Sequence, residues 1–525
     1  MSSVLDIRPT VEALTLAQAL GDIEVLRWID AAGAAQGSAP HTQVSGVTVS
    51  SNDLEEGWIF IAIPGMVKHG VRFASAAERK GASAIITDEA GANELATMGV
   101  GLPVAVIADP RVATAHIAAR VYSFPATRLT TMAIIGTNGK TTTSYLMRAA
   151  LQCRFADPAL CGTVESRIGD LRFVSNQTTA EAPVVERLLA LAEQKGLGAA
   201  VVETSAHALS LNRVDDIIFD VVGFTNLQHD HLDYYGTMEN YFEAKKLLFT
   251  PEHAARGVVC VDDEWGQRLA DEATIPVVTV SALTDTPAEW TVRDIHPDKE
   301  TSRTVFTLVD PEGAGHRVAM PILGEVNVQN TALAIVCGVQ VGFGLDEVIA
   351  AIEAAEQIPG RMEKVNPEPG NQPLVVVDYA HTPEGLEWTL KSTRELTKGR
   401  LVLVFGTDGD RDATKREYLA ELAAQHADIL WVTDENPRTE DPQSIRDYLL
   451  RGIARVRPDM HDVFEITTSR RDAVRKAILA SEPGDTILIT GKGSEWYQDI
   501  DGIKHEYNDV PVSREVLEQD IRASL

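Results

Sequence analysis

The sequence predicts an α/β protein of three domains carrying mostly parallel sheets. Three observations lead there. The chain has 525 residues, enough for three domains of ordinary size. A short apolar run meets a glycine turn and then a helical pattern in TMAIIGTNGKTTTSYLMRAALQ (131–152). The same strand–loop–helix grammar recurs in LVVVDYAHTP (374–383), RLVLVFGTDGDRD (400–412), ADILWVTDENPR (427–438) and DTILITGKGSE (485–495). Repeated βα units argue for a doubly wound sheet, with polar residues of interest just past the strands' C-terminal ends.

Taken in order, residues 1–125 form the first block, with strand candidates in GWIFIAIPG (57–65) and GASAIITDE (81–89). VYSFPATRLT (121–130) closes it. The second block spans 126–358. AAVVETS (199–205) and IIFDVVGFTN (217–226) are near-continuous apolar runs, as strands covered on both faces require. Residues 289–322 alternate more clearly and predict antiparallel strands. EQIPGRMEKVNPEPGNQP (356–373) is rich in Pro and Gly and predicts a linker into the third block, 359–525.

Net charge is −29, from 47 basic and 76 acidic side chains. That excludes a general nucleic-acid or membrane-surface binder, which needs basic patches, but not a local cationic pocket for an anionic substrate. Cys153, Cys161, Cys260 and Cys337 have no CxxC spacing, so free thiols in a reducing cytosol are expected. The start, MSSVLDIRPTVEAL, lacks a basic segment followed by an apolar one, and no apolar run approaches ~20 residues. A cytoplasmic protein without membrane insertion is expected.

The strongest motif is Gly136, Thr137, Asn138, Gly139, Lys140, Thr141 and Thr142. Glycines let backbone N–H groups turn toward phosphate oxygens, Lys140 can reach the β/γ-phosphates, and the Thr141 hydroxyl can hold Mg²⁺. The helix that follows points its positive end at the same place. Ile134 stands where the common spacing has its first glycine, so the loop is contracted. Glu203, at the end of a central strand, is placed for Mg²⁺. His229, Asp230, His231 and Asp233 invite a zinc reading, which the absence of a second ligand set disfavours.

GTNGKTT, ETSAHAL (203–209), TNLQHDHLDYYGTMENYFEAKKLLF (225–249) and DYAHTPEGLE (378–387), in that order, resemble the Mur ligase family along nearly the whole chain. Closest are its members that add the third amino acid to a UDP-linked muramoyl-dipeptide in peptidoglycan synthesis. The resemblance implies a UDP-substrate-binding domain, a central P-loop ATPase domain and a C-terminal Rossmann-like domain. It implies ATP, two Mg²⁺ ions and a monomer. By position, Thr141, Glu203, His231 and a carbamylated Lys245 would serve metal. Asn330, Asp378 and His381 would meet the nucleotide. Thr178, Thr179, Ser205 and Arg213 would meet the UDP substrate, with Val49 and Ser51 of VSSND and the loop Met66, Val67, Lys68. Leu211 stands where the family often has glutamine.

For the incoming diamino acid the resemblance points to Arg411 of GDRD, Arg438 of ENPR, and Gly491 and Glu495 of GKGSE. An Arg fork reads a carboxylate in a way that Lys cannot copy. The family's diaminopimelate motif is D-N-P-R, whereas Glu435, Asn436, Pro437 and Arg438 read E-N-P-R. Meso-diaminopimelate is favoured slightly, with L-lysine or L-ornithine as the alternative. The implied chemistry activates the D-Glu carboxylate as an acyl phosphate, which the amine then attacks. Remoter readings are another ligase of the Mur or folylpolyglutamate type, or a nucleotide-binding regulator without catalysis.

Overall fold

A computed structural model describes residues 8–65, 68–175, 177–298, 301 and 303–524; Met66 and Val67 of the expected uridine loop lie outside them. The chain divides into two compact units, Met1–Thr291 with Ala332–Ala351, and Val292–Thr331 with Ile352–Leu525.

Among the described residues the first unit holds two large sheets, beside a short antiparallel pairing of Leu14–Thr15 with Gln43–Val44. The N-terminal one orders its strands Ala35–Gln36, Val25–Ile29, Val104–Ile107, Ala84–Thr87, Trp58–Ile61 and Gly46–Thr48. The last four are mutually parallel. Ile59, Phe60, Ile61, Ile85 and Ile86 are fully buried, so both sheet faces are covered as the unbroken apolar runs require. Helix Pro110–Val121 starts at Asp109, whose carboxylate accepts from the N–H groups of Arg111 and Val112, with proline in the first position. The chain then turns through Pro125–Arg128 into the next sheet.

That sheet places parallel strands in the order Ala159–Cys161, Ala199–Glu203, Thr130–Ile135, Val221–Phe224, Gly257–Cys260 and Val277–Ser281. Thr130–Ile135 is flanked on both sides, and consecutive strands change sides there. Open α/β sheets bind ligands at such a switch point. Trp290–Asp298 begins parallel to Val277–Ser281, with Val280 opposite Trp290. The sequence predicts antiparallel pairing for this strand; alternation specifies which face is covered, not the direction of the neighbour. In the second unit, Arg303–Val309 and Gly315–Met320 do pair antiparallel.

Asp53, which ends VSSND, and Glu186 are among the buried acids of the first unit. Asp53 is held by Arg187 at 3.1 Å and Arg8 at 3.0 Å, and both guanidinium groups lie over the Trp58 ring. This cluster joins the turn after the first sheet's edge strand to helix Ala182–Gln194. Glu186, on the same helix, has a buried Oε2 without a hydrogen-bond partner. Burial, then the charge of Asp216, raises its pKa to about 8. Between the ordinary carboxylate range and about 8 the folded state keeps a proton that the unfolded state has lost, so stability falls as pH rises through that window. Glu186→Gln is therefore expected to raise the melting temperature at pH 8.5 and to gain little at pH 5. Thermal melts at the two values check this; an equal gain at both would contradict it.

The second unit's sheet runs Glu363–Lys364, Leu374–Val377, Thr486–Ile489, Leu401–Phe405, Ile429–Val432 and Val463–Glu465. All but the first strand are parallel. Four of the five parallel strands are those the sequence predicts. Glu363–Lys364 corrects the expectation of a bare linker: two residues of it pair antiparallel with Leu374–Val377, too short a run to leave a period. Among the described residues no helix is long and apolar enough to cross a membrane. All four cysteines are free, Cys161, Cys260 and Cys337 being buried.

Candidate active site

Strand Thr130–Ile135 delivers the chain into Gly136, at φ +154°, and Gly139, at φ +87°, before helix Lys140–Leu151 begins. A Cβ on Gly136 would lie 1.8 Å from Thr225 Oγ1, so only glycine fits. Neighbouring strand ends hold the loop: Thr137 N–H donates to Asn226 O, and Asn138 N–H donates to Asn226 Oδ1 at 2.9 Å. The Thr225 hydroxyl donates to Asn138 O at 2.6 Å. No side chain caps the helix N-terminus, which leaves its first N–H groups for an anion. Lys140 Nζ donates to Gly136 O at 3.1 Å and Thr137 O at 3.0 Å.

Glu203 closes the far side. It is 1% exposed. Its Oε1 accepts from the Thr141 hydroxyl at 2.9 Å and the Thr163 hydroxyl at 2.8 Å, and its Oε2 accepts from Thr163 N–H. The Thr163 hydroxyl also lies 3.1 Å from Thr178 Oγ1. Thr179 Oγ1 donates to Glu203 O at 2.9 Å and accepts from Ser205 N–H at 3.0 Å, while Arg213 donates to Thr179 O. Thr141, Glu203, Thr178, Thr179, Ser205 and Arg213 thus form one connected patch beside the loop, linked through Thr163, and Thr142 is buried in the first turn of the helix. Leu211 ends helix Ala206–Ser210 beside it and offers no polar side chain. Val49 packs against the apolar core of the N-terminal sheet, and Ser51 is half-buried in the following turn.

Lys245 is 1% exposed, with Nζ 2.7 Å from Gly136 O and 4.4 Å from the Tyr241 ring centroid. Lys140 and Lys245 share one carbonyl oxygen. Burial first, then the Lys140 charge, holds Lys245 well below the usual lysine range. That shift favours the neutral amine over the ammonium. His231, in the left-handed region at φ +53°, stands 5.9 Å from the Tyr241 ring and 5.0 Å from that of His207. No group of three or more His, Cys, Asp or Glu side chains among the described residues is arranged to hold a metal ion, against the zinc reading. A hydroxyl and a single carboxylate, Thr141 and Glu203, suit Mg²⁺ arriving with phosphate oxygens, since Mg²⁺ keeps few protein ligands.

In the second unit, Asn330 is buried on helix Val326–Gln340 and donates to Asn327 Oδ1 at 2.9 Å. Asp378 accepts from Met362 N–H, Ala380 N–H and the Thr389 hydroxyl. His381 donates from Nδ1 to Tyr379 O at 2.9 Å, which leaves Nε2 as the acceptor. Loops from four strand ends then surround a cavity of about 330 Å³ lined by His381, Arg411, Lys415, Glu435, Arg438 and Glu495, among others. Arg411 has no hydrogen-bond or ion-pair partner among the described residues. Arg438 donates to Asp408 Oδ2 at 2.7 Å, and Asn436 bonds both Asp408 and Glu495. A Cβ on Gly491, at φ +106°, would lie 2.4 Å from Glu435 Oε2. Four of the six residues expected at the amino acid line this cavity; Asn436 and Gly491 support its wall.

Three family models match in series: the Mur ligase family catalytic domain over residues 43–122, the Mur ligase middle domain over 134–338, and the Mur ligase glutamate ligase domain over 360–493. A Streptomyces coelicolor protein named UDP-N-acetylmuramoyl-L-alanyl-D-glutamate–2,6-diaminopimelate ligase is 40% identical, covering 91% of this chain and 93% of its own. The chain belongs to the Mur ligase family. A Leifsonia xyli relative named UDP-N-acetylmuramyl-tripeptide synthetase is 41% identical over 94% of each chain. Among solved structures, one titled UDP-N-acetylmuramoyl-L-alanyl-D-glutamate–2,6-diaminopimelate ligase superposes at a TM-score of 0.67 with 29% identity, covering 97% of this chain and all of the other.

Several contacts of this Mur ligase escape a reading of the sequence. Thr163 reaches Glu203 across 40 positions, and Asp408 reaches Arg438 across 30. Asp408 carries a signal in hindsight: like Arg411, it follows a strand end.

Proposed function

We propose that the chain is an ATP-dependent ligase that joins a diamino acid to the D-glutamyl carboxylate of UDP-N-acetylmuramoyl-L-alanyl-D-glutamate, extending the peptide of peptidoglycan. The observation that carries this reading is the Gly136–Thr142 loop with Thr141 bonded to Glu203, in a chain 40% identical over 91% of its length to a ligase named for that substrate. Domain boundaries near 125 and 358 fit the same reading.

A carboxylate oxygen attacks the γ-phosphorus of ATP, and the bond to ADP breaks. The amine nitrogen then attacks the acyl carbon, the bond to phosphate breaks, and nitrogen loses a proton. Both steps bring anions together, so positive charge placed in advance lowers the barrier. The N–H groups of Gly136–Thr142 and Lys140 hold the phosphates. Thr178, Thr179, Ser205 and Arg213, with Val49 and Ser51, hold the UDP substrate, while Asn330, Asp378 and His381 meet the nucleotide. Thr141 and Glu203 would hold one Mg²⁺, with His231 and a carbamate on Lys245 at the other, and ions bound there would neutralise phosphate charge. The neutral Lys245 amine is the form that adds CO₂: a C–N bond forms, a proton leaves, and the side chain becomes an anion. The use of ATP and a UDP-linked sugar supports a cytoplasmic reaction.

Arg411, without a partner, would read the incoming α-carboxylate. Arg411→Ala is expected to raise KM for the diamino acid by roughly tenfold or more and to leave KM for ATP unchanged; steady-state kinetics on each substrate separate the two. The reading as a whole is tested by the mass of the product formed from the three substrates with Mg²⁺. A UDP-muramoyl tripeptide supports it, and unchanged dipeptide refutes it. Meso-diaminopimelate is the diamino acid that the Streptomyces relative's name supports. L-Lysine or L-ornithine is the alternative.

A further inference from the structure

Arg213, one of the residues proposed to hold the UDP substrate, is gripped at three points. Its Nη1 donates to Thr179 O at 2.9 Å, its Nη2 lies 2.9 Å from Glu181 Oε1, and its backbone N–H donates to Ala208 O. A free arginine side chain has much rotamer freedom to lose when it meets a ligand. Fixing it in advance takes that ordering cost out of binding.

The grip depends on where Glu181 sits. It occupies the N-cap position of helix Ala182–Gln194, yet its side chain makes no capping bond. Glutamate is one methylene longer than aspartate, which caps well. Its carboxylate instead reaches away from the backbone, beside a helix end where negative charge is stabilised. Both oxygens are used. Oε1 takes Arg213, and Oε2 accepts from Arg111 Nη1 at 2.8 Å. Arg213 is 11% exposed and the other two are 22% exposed, so water screens this triad less than a surface pair.

Arg111 lies on helix Pro110–Val121, which packs through Ile117 and Val121 into the core of the N-terminal sheet. Glu181 and Arg213 belong to elements around the other sheet. The same helix reaches the Arg213 segment a second time, since His116 Nδ1 is 2.9 Å from Asp216 Oδ1. From Arg213 the chain of contacts runs on through Thr179, whose hydroxyl donates to Glu203 O. The two sheets do not need Glu181 to stay joined. Arg187 holds Asp53 at 3.1 Å, and Gln194 bonds both the N–H and the C=O of Thr10.

We propose that Glu181 is a positioning residue for the UDP substrate: it holds Arg213 against Thr179 while Arg111, from the helix on the N-terminal sheet, holds Glu181. The proposal rests on the reading that Arg213 meets that substrate. Glu181 acts through Arg213, and Arg111 acts through Glu181.

The test is calorimetric binding of UDP-N-acetylmuramoyl-L-alanyl-D-glutamate, and separately of ADP, to the full chain. Glu181→Gln keeps the size but offers one oxygen where two guanidinium groups need two. It is expected to raise Kd for the UDP substrate by roughly fivefold and to leave Kd for ADP within about twofold. Arg213→Ala should raise the first Kd by roughly tenfold or more. In the Arg213→Ala background, Glu181→Gln should add less than about twofold, because the group it positions is gone. Arg111→Gln should give a smaller rise that also vanishes there. Glu181→Ala repeats the cycle should Glu181→Gln melt early. Effects of Glu181 and Arg213 that multiply would overturn the proposal. So would a wild-type Kd in both Glu181 variants while Arg213→Ala binds weakly, even if their melting temperatures fall. A wild-type Kd in Arg213→Ala would instead refute the placement of Arg213 at the substrate, and the proposal with it.

Discussion

Lys140→Ala is expected to lower kcat by ~10³-fold or more, because the lost charge acts where phosphate charge develops. The folded state should scarcely notice. Lys140 Nζ bonds two carbonyls of its own loop, Gly136 O and Thr137 O, and the loop is independently held by Asn226 and Thr225. The melting temperature is therefore expected to stay within about 2 °C of wild type. Lys140→Arg should rescue little, since a planar fork does not fit between two carbonyls that an ammonium bridges. Single-turnover phosphate transfer with melts on the same samples checks both halves. Full activity in Lys140→Ala would remove the nucleotide from this loop.

Lys245→Ala is expected to cost ~10²-fold or more in kcat, since it deletes the anion that would help to hold a metal ion. The argument starts from burial. A lysine 1% exposed, whose Nζ shares the Gly136 oxygen with Lys140, is shifted toward the neutral amine. A neutral amine adds CO₂, whereas an ammonium does not. Wild-type protein in ¹³C-enriched bicarbonate should show one carbamate carbon resonance that Lys245→Ala and Lys245→Arg both lack. Lys245→Arg puts a permanent cation there and cannot form the carbamate, so it should be as inactive as Lys245→Ala. An active Lys245→Arg with no resonance in the wild type would make Lys245 a structural lysine.

Much of the frame was legible in the sequence because parallel strands buried on both faces leave unbroken apolar runs. Ala199–Glu203, Val221–Phe224, Leu374–Val377 and Leu401–Phe405 all lie inside segments named from that signal. Val463–Glu465 was missed: it is an edge strand with mostly exposed side chains, so its residues show no run. The site was legible where chemistry sits in consecutive residues, as in Gly136–Thr142. It was not legible where function depends on charge balance between distant loops. Arg438 reads as a carboxylate fork in ENPR, and only the fold shows that Asp408, thirty positions earlier, already holds it. Glu435 reads as an anion one methylene too long. Its burial and the nearby Asp408 instead raise it well above the ordinary carboxylate range, which no local pattern encodes. Thr163 likewise carries no motif, yet it gives Glu203 two of its hydrogen bonds.

The central claim is that one chain couples ATP cleavage to joining a muramoyl-dipeptide with a diamino acid. The most direct measurement is phosphate release from ATP and Mg²⁺, with UDP-N-acetylmuramoyl-L-alanyl-D-glutamate and a diamino acid each present or omitted. The account predicts sustained release only when both are present, with one phosphate freed per peptide bond formed. Release that continues at the same rate without either partner, or none with both, would contradict it.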